Sequence, residues 1–74
     1  QQFAFNKNTE GKLVDVLVER AGGRVGQMAG RSPYMQAVNF IGEADQIGQI
    51  VSCRLSTARQ NSMTGEIVNL KVAV

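Results

Sequence analysis

Residues 12–19 read KLVDVLVE, and their alternation narrows the possible folds more than any other feature. Val14, Val16 and Val18 fall on one side of an extended chain, and Leu13, Asp15, Leu17 and Glu19 on the other. A period of two, built on β-branched residues, predicts a strand with one face turned to a core. The same period recurs in short pieces over residues 27–31, 35–41, 47–58 and 63–72. In the third piece Met35, Ala37, Asn39 and Ile41 oppose Gln36, Val38 and Phe40. In the fourth, Val51, Cys53 and Leu55 are predicted to face inward, with Ile50, Ser52, Arg54 and Ser56 outward.

Breaks separate these pieces. A glycine-rich stretch covers residues 21–26, Ser32-Pro33 interrupts the chain, Glu43 and Asp45 lie in a loop over 42–46, and residues 59–62 form a polar turn. Proline cannot donate to a strand ladder, and glycine and asparagine favour turns. No helix is predicted between the strands, and residues 1–10 read as a connector. Five short strands predict an all-β fold, a small five-stranded antiparallel β-barrel, because closure removes exposed edges. At 74 residues the chain makes one domain. A chain this short buries only about 60–65% of its unfolded surface, which leaves little room for an enclosed active site.

The chemistry the chain holds points away from catalysis. It has no histidine, hence no usual general base. Its single cysteine, Cys53, sits between Val51 and Leu55 at strand spacing and reads as structural. One thiol forms no internal disulfide, so the fold needs no oxidising compartment. Asp15 and Glu19 are four residues apart on a strand, about 13 Å, too far for an acid–base pair. Glu43 and Asp45 read as solvating charges rather than metal ligands. The glycine-rich stretch lacks the spacing of a phosphate loop and no helix follows it, so it reads as a hairpin loop. No apolar run approaches a membrane span and residues 1–11 do not read as a signal peptide, which leads to a cytoplasmic expectation. The chain opens on Gln rather than Met and reads as a piece of a longer protein.

Nucleic-acid binding has better support. Arg31, Tyr34, Gln36, Arg54 and Arg59 lie on or beside strands two to five, and Asn39, Asn61 and Ser62 add donors and acceptors. Guanidinium groups grip phosphates, and a tyrosine ring stacks on an unpaired base for roughly 1–3 kcal/mol. The net charge of +2, from eight Lys+Arg against six Asp+Glu, permits an anionic partner without demanding one. Residue chemistry alone leaves two readings open: these groups meet RNA, or they solubilise a small barrel.

Five motifs stand in order: residues 11–19 with the run VLVE, then Gly26-Gln27-Met28-Ala29-Gly30-Arg31-Ser32, Val38-Asn39-Phe40, Ile47-Gly48-Gln49, and Asn61-Ser62-Met63-Thr64-Gly65-Glu66. Together they resemble a TRAM domain, more narrowly the one that closes MiaB-type tRNA methylthiotransferases. Met63 stands where that pattern usually has leucine. The leading Gln1-Gln2 with Phe5-Asn6 resembles the helix tail that joins the radical-SAM domain to this module. The resemblance thus divides the chain into a tail over residues 1–10 and an OB-like TRAM barrel over residues 11–74. It implies an RNA-binding accessory domain that helps present a tRNA anticodon stem-loop to an upstream radical-SAM domain of the same chain. Arg31, Ser32, Asn39, Asn61 and Ser62 match the family's pattern, whereas Tyr34, Gln36, Arg54 and Arg59 rest on chemistry. Iron–sulfur clusters and S-adenosylmethionine are implied for the full-length enzyme. A lone cysteine cannot hold such clusters, so no activity is expected of this chain alone. The alternatives are a protein-gripping barrel from a relative that modifies a ribosomal protein, and a barrel that only packs against its catalytic domain.

Overall fold

The computed structural model describes residues 2–68. A short helix α1 (Gln2–Asn8) leads into strands β1 (Leu13–Ala21), β2 (Gln27–Arg31) and β3 (Ala37–Ile41). A 3₁₀ turn (Ala44–Gln46) precedes β4 (Ile50–Ala58) and β5 (Met63–Ile67). The strands close into a barrel in the order β1-β2-β3-β5-β4.

The alternation in β1 sorts as its side chains demand. Val14, Val16 and Val18 are buried, while Leu13, Asp15, Leu17 and Glu19 stay exposed. Met28, Val38, Phe40, Cys53, Leu55 and Met63 complete the core, with Val51, Ala58 and Ile67 packed around it. Burying a side chain such as Leu55 is worth about 1.5–3 kcal/mol, and each strand supplies one or more such groups. Two bulges, between Val18 and Arg20 and between Leu55 and Thr57, bend the sheet enough to close it.

Four of the five pairings are antiparallel, and β3 pairs with β5 in parallel. The barrel is therefore mixed, where the sequence reading expected purely antiparallel strands. The period of two is identical in both directions, so it holds no record of strand polarity.

Two glycines show why these motifs need glycine. Gly26 takes φ +79 at the β1–β2 hairpin, a conformation that L side chains rarely adopt. Gly30 packs so closely on β1 that an added Cβ would collide with the Leu17 carbonyl oxygen and lie 2.7 Å from Val16 Cγ1.

Three boundaries differ from the sequence reading. Residues 2–8 are helical, while β3 begins at Ala37 and β4 at Ile50, later than expected. Gly48 at φ +89 follows the 3₁₀ turn and delays β4. The strand expected over 63–72 is observed as Met63–Ile67, and the part expected past residue 68 lies outside the described residues.

Candidate nucleic-acid interface

Because β3 and β5 run in the same direction, the segments that precede them emerge at the same end of the barrel. Val38 aligns with Met63 and Asn39 with Thr64. The loop over residues 32–36 and the turn over residues 59–62 thus lie side by side. Helix α1 covers this end. Thr9 Oγ1 touches Met63 Sδ at 3.9 Å, Gln36 Nε2 donates to Asn6 Oδ1 at 3.0 Å, and the Ala58 N–H donates to Glu10 Oε2 at 2.8 Å.

Six of the nine candidate residues from the sequence lie in or beside this region, four of them exposed and two half-buried. Arg31, at the end of β2, is exposed; its Nε lies 3.6 Å from Glu19 Oε2 and its Nη1 donates to the Met35 carbonyl at 3.4 Å. Tyr34 is 46% exposed and meets the ring of Phe5 edge to face. Arg59 is exposed in the 59–62 turn, closed by its N–H donating to Ser62 O at 2.8 Å, and its Nε donates to Thr64 Oγ1 at 3.3 Å. Asn61 is exposed and Ser62 half-buried in that turn. Asn39 is half-buried on β3, level with Ala29 on β2 and Thr64 on β5. Its amide has no hydrogen-bond partner among the described residues.

Ser32 and Gln36 require a correction. The sequence reading put both on an RNA face, but both are buried, Gln36 completely. Their hydrogen-bonding capacity is consumed inside. Ser32 Oγ donates to Gln36 Oε1 at 2.9 Å and accepts from the Tyr34 N–H at 3.2 Å. Gln36 Nε2 donates to Asn6 Oδ1 and also to Thr9 Oγ1 at 2.9 Å. These two side chains support the surface from beneath. Arg54 also stands apart. It is on the β4 wall, level with Leu13 and Glu66, and its Nη1 donates to the Gly11 carbonyl at 3.3 Å. Ala58 lies four positions further along β4, about 13 Å of strand.

Other features contribute no ligand chemistry. The amides of Gly23 and Arg24 donate to Gln27 Oε1 at 3.0 and 3.3 Å, so this hairpin loop has no free nest for a phosphate. Cys53 is buried, and burial pushes its thiol up to about 11. It is the chain's single cysteine, with no histidine beside it, so the residues do not fit an iron–sulfur cluster. Among the described residues no group of three metal-ligating side chains exists, and no helix is long and apolar enough to cross a membrane. Bordering the loop over residues 32–36, an open groove of about 390 Å³ is lined by Leu17, Pro33, Met35 and Ile50, with Asp15, Glu19, Arg31 and Ser32 among its walls.

Sequence reasoning passed over Phe5, because Phe3 and Phe5 make no helical stripe. Its spacing held no signal, and only the fold brings it to Tyr34.

Comparison with known proteins gives the same outline. The model of the TRAM domain family matches residues 7–68. A tRNA-2-methylthio-N(6)-dimethylallyladenosine synthase of Maricaulis maris (strain MCS10) is 42% identical over 71 residues, covering 96% of this chain and 16% of that protein. One of the same name from Novosphingobium aromaticivorans is 48% identical over 66 residues, covering 89% of this chain and 15% of that protein. The chain therefore spans about a sixth of the length of these relatives.

Proposed function

Because the chain belongs to the TRAM domain family, we propose that it is the RNA-contacting accessory domain of a tRNA methylthiotransferase. Its role is to hold the anticodon stem-loop for a radical-SAM catalytic domain in the same protein. The relatives' name supports tRNA as the substrate class. The chemistry, with its iron–sulfur clusters and S-adenosylmethionine, belongs to the parts of such a protein that these residues do not supply.

The observation that supports this reading most is the parallel β3–β5 pairing, which brings Arg31, Tyr34, Arg59, Asn61 and Ser62 to one end of the barrel. Arg31 and Arg59 act on phosphates, Tyr34 on an unpaired base, and Asn39, Asn61 and Ser62 on base or sugar edges. With a net charge of only +2 the domain binds weakly by itself, in the range of about 10⁻⁴–10⁻⁶ M typical of non-specific contacts.

The test is titration of the domain with an anticodon stem-loop at two salt concentrations. Arg31→Ala and Arg59→Ala should each weaken binding and flatten the salt slope by about one. Arg54→Ala, away from this end, should change binding less. Parent-like binding by both the Arg31 and Arg59 variants rules the face out. Next to Arg31, the groove between Leu17 and Ile50 favours a contact with protein, since Asp15 disfavours phosphate there and the aliphatic walls suit an apolar surface. A barrel that serves only as a protein-packing module would bind the stem-loop with no salt dependence or not at all.

A further inference from the structure

We infer that Phe5 and Tyr34 form a two-ring stacking platform for unpaired nucleobases, which makes α1 part of the RNA surface and Phe5 a contact residue. This rests on the RNA role proposed above and extends it to a residue outside the matched span of 7–68.

The ring centroids are 5.8 Å apart with the planes at 78°, and each residue stays 46% exposed. An edge-to-face pair that merely sealed a core would have little ring area left in solvent. Here roughly half of each residue remains available to a ligand.

The pair is held from inside. Asn6, next to Phe5, and Gln36, two residues beyond Tyr34, are both fully buried and joined amide to amide at 3.0 Å. That bond sets the spacing between two segments distant in sequence. Rings fixed in place before binding lose less entropy when a base stacks on them. Arg31 stands at the foot of the same loop, its Nη1 on the Met35 carbonyl, and offers a cation for the phosphate beside a stacked base. Every base has a π-face, so the ligand class is unpaired nucleobases in single-stranded or looped RNA rather than one sequence. An apolar protein segment also suits exposed rings, but it would have no use for the guanidinium.

Tyr34 is the only tyrosine and the chain has no tryptophan, so its emission reports this site alone. The chain is titrated with a hairpin RNA bearing a single-stranded loop and with a blunt RNA duplex. The hairpin should quench Tyr34 and the duplex should not. Phe5→Leu should weaken hairpin binding about tenfold and leave the salt slope unchanged, because a stacking contact is lost and no phosphate contact. Phe5→Tyr, which keeps a ring, should bind like the parent. The inference is overturned if Phe5→Leu binds the hairpin like the parent, if Phe5→Leu and Phe5→Tyr weaken it alike, or if duplex binding falls equally. Should Tyr34→Leu and Arg31→Ala also bind like the parent, the whole RNA face fails; should they weaken binding while Phe5→Leu does not, only the role of Phe5 fails.

Discussion

Met35 adopts φ 67, the one non-glycine residue with positive φ among the described residues, and it is 71% exposed. It closes a tight turn in which its N–H donates to Ser32 O at 2.9 Å and the Ser32 N–H donates to Gln36 O at 3.0 Å. Glycine suits such a position, since a Cβ there costs roughly 1–2 kcal/mol. The Met35 side chain contributes nothing to the core and instead lines the groove beside Leu17 and Ile50. Met35→Gly should therefore leave stability unchanged or raise it by up to about 1 kcal/mol, after the entropic cost of glycine. Thermal melting checks this, and a fall in Tm would show that the side chain supports the fold. The same loop shows how far residue types alone could be read. Gln36 shares its face of the alternation with Val38 and Phe40, both buried, so the period pointed inward. Its polar chemistry argued outward, and nothing local revealed that Asn6 and Thr9 wait inside to receive its amide.

The strands were legible because apolar side chains at alternate positions must share one face, as Val14, Val16 and Val18 do. Helix α1 was not. It leaves Phe3 and Phe5 exposed and buries Asn6, so it docks through a polar anchor that hydrophobic periodicity cannot register. Asn6 Nδ2 finds no acceptor among the described residues, and a lone buried N–H costs about 1–3 kcal/mol. The residue is kept there for its Oδ1, which accepts from both Gln2 and Gln36. A second tie joins the segment after α1 to β4. The Ala58 N–H donates to Glu10 Oε2, and this bond, with Lys7 3.5 Å away, holds the Glu10 carboxyl below its ordinary 4.5. A lowered folded value means that the ionised carboxylate favours the fold. Its contribution is present above pH 4.5 and is lost as pH falls through the lowered value. Glu10→Gln should be less stable than the parent at neutral pH, with a gap that narrows in acid. Melts across this range check the sign, and a constant gap would show that the charge is irrelevant.

At the scale of the whole molecule, the barrel carries the proposed RNA-contacting end and an apolar groove next to it. Closure through the parallel β3–β5 pair gathers Arg31, Arg59 and Tyr34 at one end, and the apolar groove beside Leu17 and Ile50 borders that end at Arg31. Strand count and closure could be read from short alternating pieces, but the polarity that creates the gathered end could not. The family resemblance placed Arg31, Asn39, Asn61 and Ser62 as candidates, and only the fold shows that Arg54 stands away from them. The most direct measurement is a backbone amide shift map of the isotopically labelled chain as an anticodon stem-loop is added. The account predicts shifts concentrated in α1, residues 31–36 and residues 59–64, fading as salt rises. Shifts that leave α1 and residues 59–64 unmoved and centre on Asp15, Leu17 and Ile50, or that spread evenly over the barrel, would contradict it.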